Sequence, residues 1–181
     1  MNLWHEVELG EKAPEEFNAI IEIPKWSKNK YEIDKKTGLI KLDRAMKTAQ
    51  DYPFDYGFAP MTYWEDGDAL DVVVLTTYPL ASGILVQVRP VGVMRMIDGG
   101  EGDDKIIAVP VSDERWNAVQ RLRDVNEHTL KEIKHFFETY KQIENKEVKI
   151  SGFEDKEAAI KAVEKAAEMY KKEFKLSKKI D

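Results

Sequence analysis

The sequence predicts an α+β protein built on a small barrel, and three observations carry that expectation. Segments rich in β-branched and aromatic residues crowd the first two-thirds of the chain. Apolar residues at helical spacing occupy the last third. No internal repeat or linker divides the 181 residues, a length that suits one domain, residues 1–181, with a sizeable core.

Leu3 and Trp4 open a short segment that periodicity does not assign. Phe17 to Ile23 alternates as a strand stopped by Pro24, and its parity puts Glu22 opposite Ile21 and Ile23. Tyr31 to Asp34 is a second strand, which turns at Lys36-Thr37-Gly38 and returns over Leu39 to Asp43. Lys30, Glu32 and Asp34 share one face there, a pattern that fits a surface ion pair as well as a site. Tyr52 to Phe58 holds too much Pro, Gly and aromatic content for a helix. Val72 to Thr76 is a strand, residues 78–83 a loop, and Ile84–Arg89 with Val91–Met96 two strand pieces bent at Pro90. The loop from Asp98 to Lys105 carries Gly99, Gly100 and Gly102, freedom that a ligand-closing loop or a plain hairpin tip would use. A strand follows from Ile106 to Val111. Leu130, Ile133, Phe137 and Tyr140 recur at helical spacing over 129–143, which by default buries Tyr140 and exposes Lys141. Val148 to Ile150 is a last strand, and Asp155 caps a long helix to about Phe174 whose lysine-rich end, from Lys171, is solvated.

The densest chemistry lies in Trp64-Glu65-Asp66-Gly67-Asp68-Ala69-Leu70-Asp71-Val72-Val73-Val74. Asp-Gly makes a tight turn and the valines a buried strand, so three acids are held at a strand mouth. Two carboxylates ~4 Å apart repel by about 4 kcal/mol at an effective dielectric of ~20, which invites a cation. Oxygen ligands alone favour a hard one, Mg²⁺ or Mn²⁺. An EF-hand is excluded, because Asp71 stands where that loop needs glycine and Thr77 where it needs glutamate.

Bulk composition narrows the rest. A formal charge of −6 argues against a general nucleic-acid binder. The absence of cysteine, of a signal-peptide pattern and of a membrane-length apolar run leads us to expect a cytoplasmic protein without membrane partners. His5, His128 and His135 lack zinc-ligand spacing, and neither a Gly-x-Ser-x-Gly elbow nor a phosphate-cradling glycine loop appears. What remains is two acidic clusters, Asp66/Asp68/Asp71 and Asp98/Asp103, with Lys30, Arg44, Lys105 and Lys141 as cations for phosphate. That combination points to metal-assisted phosphoryl chemistry.

The motifs Glu22-Ile-Pro, Lys30-Tyr-Glu32-Ile-Asp34, Asp43-Arg44 and Tyr52-Pro-x-x-Tyr56-Gly continue as Asp66-Gly-Asp68-x-Leu-Asp71-Val and Arg89-Pro-Val-Gly-Val. Asp98…Asp103-x-Lys105 and His135-Phe-Phe-Glu-x-Tyr140-Lys141 complete the set. In this order they resemble the family I soluble inorganic pyrophosphatases of bacteria and archaea. The resemblance implies a five-stranded, OB-like barrel with flanking helices, a homohexamer, and several Mg²⁺ ions per subunit, with Mn²⁺ as a substitute. It implies that Asp66, Asp71 and Asp103 bind the first metal, that Asp71 is shared with a second, and that Asp98 and Asp103 take one arriving with substrate. Asp68 would be the general base, with Lys30, Arg44, Tyr56, Lys105, Tyr140 and Lys141 on the phosphates and Glu22, Glu32 and Tyr52 in support. Tyr140 and Lys141 thereby move from core and surface to the site.

The expected reaction is hydrolysis of diphosphate to two orthophosphates, by in-line attack of a metal-activated hydroxide. Two rivals remain from the residues alone. An OB-type nucleic-acid binder would want a basic groove with aromatics, and a non-catalytic cation or phosphate binder would not need Asp68 beside Asp71.

Overall fold

A computed structural model describes residues 1–176. Strands β1 (Phe17–Ile23), β2 (Asn29–Ile33), β3 (Ile40–Ala45), β4 (Asp55–Phe58) and β5 (Asp71–Val74) come first. They are followed by β6 (Leu85–Asp98), β7 (Glu101–Gly102), β8 (Lys105–Pro110) and helix α1 (Glu127–Thr139). Strand β9 (Val148–Asp155) then runs directly into α2 (Lys156–Leu176). Asn126 caps α1 by accepting the amide of His128, and Asp155 accepts the amides of Lys156 and Leu122 at 2.9 and 3.0 Å. The expected cap of α2 is therefore in place. The first helix stops earlier than its periodicity suggests, giving way at Tyr140 to a 3₁₀ turn, Gln142–Glu144.

Seven strands pair in the order β1–β4–β5–β8–β6–β7, with β9 also on β6, while β2 and β3 form a separate hairpin. A further ladder joins β1 to β6, so β1, β4, β5, β8 and β6 form a hydrogen-bonded ring. The expectation of a closed five-stranded, OB-like barrel is nonetheless corrected. Strand β1 divides its length, giving Phe17–Ile20 to β6 and Ile20–Ile23 to β4. Strand β6, 14 residues long, outreaches its partners and gives its far half to β9 and β7. A strand shared in staggered halves and a branch at β6 make a seven-stranded sheet, not the evenly staggered closure of a small barrel. The bend at Pro90 is a bulge between Pro90 and Gly92 within one continuous strand, not a break.

The sheet separates two apolar layers. On one face α1 packs Ile133, Phe136, Phe137 and Tyr140 against Val73, Met94, Met96, Ile107 and Val109. On the other, α2 packs Ala159, Ala162, Val163 and Ala166 against Val72, Val74, Val93, Ile106 and Ala108, its small side chains letting the helix lie close. Period-two alternation along β5 and β8 thus places Asp71 and Lys105 on the α1 face. Ile21 and Ile23, which strict alternation puts together, fall in different layers because the β1–β4 ladder bulges between them. Lys171 and Lys172 are exposed, as expected of the lysine-rich end, whose residues 177–181 lie outside the described ones. Among the described residues no helix is long and apolar enough to cross a membrane.

Gly57 on β4 sits where β1 crosses closely, and a Cβ there would overlap the carbonyl oxygen of Ile20. Gly57→Ala should therefore destabilise the protein by about 3 kcal/mol, in the range of severe packing defects. Denaturant unfolding of the two proteins checks this, and coincident midpoints would show that β1 can withdraw.

Candidate active site

An open cavity of about 530 Å³ lies between the α1 face of the sheet and the β2–β3 hairpin. The acidic turn at its edge is set by its own backbone. The Trp64 amide donates to the Asp68 carbonyl at 2.8 Å, the Gly67 amide donates to the Trp64 carbonyl at 3.0 Å, and the Asp66 carboxylate accepts the amide of Asp68 at 3.1 Å. Gly67 takes φ +83°, which an L side chain rarely adopts. Asp71 opens β5 and stands beside Lys105 in the parallel β5–β8 register, so the two functional side chains are neighbours by sheet geometry.

Asp66, Asp71 and Asp103 each bring a carboxylate oxygen within 4.8 Å of the others. Lys105 is 2% exposed and lies between two of them, donating to Asp71 at 2.5 Å and also to Asp103. Burial works against its charge, but Asp71 and Asp103 outweigh burial and hold it above the ordinary lysine range. One lysine does not balance three acids. Burial, and after it the Asp71 charge, raises Asp66, while burial and Asp71 push Asp103 up to about 7 even though Lys105 opposes the rise. An all-oxygen set short of positive charge fits a hard divalent cation, which would restore these acids to their ionised form.

The remaining groups ring this centre. Lys141 pairs with Asp98, Lys35 with Asp68, and Lys30 reaches Glu32 at 3.4 Å and Asp43 at 3.2 Å. The Asp68 side chain is 55% exposed, open to the cavity that it lines. Glu22 accepts the amide of Ile33 at 2.6 Å and is pushed up to about 8, by burial first and then by Asp71. Burial raises Tyr52, Tyr56 and Tyr140 well above the usual phenol range, so all three keep their protons as donors. Stacking of Tyr140 on Phe136, with centroids 5.3 Å apart, shows why a residue at a core position of α1 can also face the cavity.

Of the site residues expected from the sequence, only Arg44 does not line the cavity. It stands on β3 opposite Lys30, paired with Asp43 and 3.9 Å from Glu144. Sequence reasoning missed Lys35, which lines the cavity, bonds Asp68 and reaches the Gly67 carbonyl at 3.2 Å. It lies just past the end of β2, where strand alternation gives no signal.

Acids gathered for hard cations, facing protonated donors suited to phosphate oxygens, define a metal-dependent phosphohydrolase. The inorganic pyrophosphatase family matches residues 19–171. The inorganic pyrophosphatase of Haloferax volcanii is 46% identical over 175 residues, covering 96% of this chain and 99% of the relative. Soluble inorganic pyrophosphatase 1 of Arabidopsis thaliana is 46% identical over 167 residues, covering 92% and 79%. The crystal structure of inorganic pyrophosphatase from Thermus thermophilus matches with TM-score 0.91 and 47% identity, covering 94% of this chain and 99% of that one. The chain belongs to the family I soluble inorganic pyrophosphatases.

Glu22 gives a test of this electrostatic picture. In the unfolded chain it ionises near the ordinary value of 4.5, and in the folded chain near 8. Between these values the folded state holds a proton that the unfolded state has released. Stability therefore falls as pH rises through the window, and the full loss stands above the folded pKa. Melting in chelator from about pH 5 to about pH 8 should show Glu22→Gln gaining steadily on wild type. A difference that stays flat with pH would mean that Glu22 is ionised in the fold.

Proposed function

We propose the following division of labour for the reaction of this chain, the Mg²⁺-dependent hydrolysis of inorganic diphosphate to two orthophosphates. Asp66, Asp71 and Asp103 hold a first divalent ion, Asp71 also serves a second, and Asp98 with Asp103 serve one that enters with diphosphate. Bound there, such ions acidify water and draw charge from phosphate oxygens. Asp68 takes the proton of the attacking water, a role supported by its place on the open wall of the cavity. Water oxygen bonds to one phosphorus as the bridging P–O bond breaks, and the second orthophosphate leaves in line. Lys30, Arg44, Lys105 and Lys141, with the phenols of Tyr56 and Tyr140, bind the phosphate oxygens and stabilise the growing negative charge. Tyr52, Glu22 and Glu32 support them. Lys30 is held by Glu32, and Glu22 fixes the hairpin through the Ile33 amide.

The single observation that carries the reading is the convergence of Asp66, Asp71 and Asp103 in one cavity with the phosphate-binding donors. The same reading takes residues 1–181 as one catalytic domain that accepts Mn²⁺ as well as Mg²⁺ and works in the cytoplasm as a homohexamer. Exposed Trp26, Tyr78 and Leu85 offer apolar surface for subunit contacts. The acid-rich cavity speaks against a nucleic-acid groove, and the open approach to Asp68 favours catalysis over storage of a cation.

Phosphate release from diphosphate, with Mg²⁺ and with chelator, tests the whole. Release that depends on Mg²⁺ is expected, and ATP should be cleaved far more slowly, since nothing in the proposed set addresses a nucleoside. Comparable turnover of ATP would overturn the specificity.

Asp71→Asn keeps the side-chain shape and removes one of the crowded charges, leaving Lys105 its partner Asp103. The variant should lose activity yet melt in chelator at or above the wild-type temperature. Excess Mg²⁺ should then raise the wild-type melting point more than that of the variant. Equal Mg²⁺ shifts would remove Asp71 from the metal ligands.

A further inference from the structure

Behind the acidic cavity lies a second one, about 600 Å³, lined by residues of α2, β6 and β9. Alternation along the chain connects the two. Asp66 and Asp103 line the first, while their sequence neighbours Glu65 and Asp104 line the second. Each neighbour is fastened there. Arg95 on β6 donates from Nη1 to Asp104 at 2.7 Å. From Nε and Nη2 it donates to the two oxygens of Glu154 on β9, at 3.0 and 2.9 Å. The other oxygen of Asp104 accepts the amide of Met96 at 3.1 Å. On the far side, Lys165 of α2 pairs with Glu65 at 2.5 Å.

We propose that Arg95 is a positioning residue for the metal centre: through Asp104 it fixes the backbone that carries Asp103, and so sets the affinity for the divalent cation. This rests on the reading of Asp103 as a ligand. An exposed ion pair would be worth little, but a planar fork held on two carboxylates is the geometry in which such pairs count. Asp104 is only 13% exposed, so its half of the bridge is shielded from solvent. The Asp103 amide donates to the Met96 carbonyl at 2.9 Å, and the Asp104 bridge ties the same stretch of chain to β6 and β9, while the tip beyond it packs against nothing among the described residues. Gly99 and Gly100 both adopt positive φ in that tip, and no atom would lie within 4 Å of a Cβ on either. Mg²⁺ demands near-ideal octahedral oxygens, so small displacements of Asp103 weaken binding.

The test is a Mg²⁺ titration followed by melting temperature, with the Mg²⁺ dependence of diphosphate hydrolysis measured alongside. In Arg95→Met the Mg²⁺ concentration for half-maximal stabilisation should rise about tenfold, the low end for groups that orient ligands. At saturating Mg²⁺, kcat should stay near wild type. Arg95→Lys should recover part of the loss, because an ammonium reaches Asp104 without bridging both acids. Asp104→Asn leaves Arg95 its Glu154 partner and should reproduce the weakening if Arg95→Met does not fold. Asp103→Asn serves as the reference. A titration of Arg95→Met, or of Asp104→Asn in its place, that coincides with wild type overturns the proposal, whatever happens to stability in chelator. If Asp103→Asn also coincides, the fault lies in the ligand reading instead.

Discussion

Repulsion among Asp66, Asp71 and Asp103 has to be contained by the structure around them, because their oxygens gather within 4.8 Å. At such separations each ionised pair costs about 4 kcal/mol at an effective dielectric of ~20. The containment is partly electrostatic, through buried Lys105, and partly covalent geometry. Asp71 and Lys105 begin adjacent parallel strands whose next residues, Val72–Val74 and Ile106–Ala108, are fully buried. Relaxing the acids apart would drag those residues out of the core, at roughly 1.5–3 kcal/mol for each large side chain exposed. The fold therefore holds the acids closer than their charges favour, a conflict that a bound divalent cation would relieve.

That arrangement explains the unequal use of the two sheet faces. The α1 side combines chemistry with aromatic packing: Tyr52 lies 4.7 Å from Phe136, and Tyr56 lies 6.0 Å from Phe137, between ring centroids. Phenols pinned in this way present their hydroxyls without losing rotamer freedom on binding. The α2 side packs helix alanines and Val163 against aliphatic residues of the sheet, with Phe17 and Trp64, and its apolar layer holds no proposed catalytic group. Its charged rim nevertheless holds Glu65 and Asp104, the residues next to two of the crowded acids.

The prediction for Gly57 shows what kind of information the sequence hides. Strands β1 and β5 were legible because their apolar residues are local and continuous, and the caps of α2 and the acidic turn because their chemistry is local too. The expected barrel closure was wrong because β1 splits its hydrogen bonds between two partners at Ile20, and no residue signals that division. Strand β9 was expected over Val148 to Ile150 only, but pairing with β6 carries it past Ser151 and Gly152 to Asp155. Residue type and spacing already offered the two acidic clusters and the cations Lys30, Arg44, Lys105 and Lys141. Motif resemblance brought in Glu22, Glu32, Tyr52, Tyr56 and Tyr140, the last of which helical spacing alone left in the core. Arg44 and Lys35 mark the limit. One is a cation in a matched motif that stands off the cavity, and the other an unmatched lysine that lines it.

The charge of the cavity bears on the order of events. Eight carboxylates and five lysines line it, and the raised pKa of Glu22, about 8, removes one of the negative charges near neutrality. The balance is still negative, while the substrate is a polyanion. Each lysine near the centre already faces an acid, as in the pairs Lys105–Asp71, Lys141–Asp98 and Lys35–Asp68. Diphosphate alone would have to compete with these carboxylates for the same ammonium groups, inside a field that repels it. If Asp66, Asp71 and Asp103 hold divalent cations as proposed, the added positive charge would offset that field and weaken the hold of these acids on the lysines. On the proposed reading, the same acids that call for divalent cations also disfavour diphosphate that arrives without them.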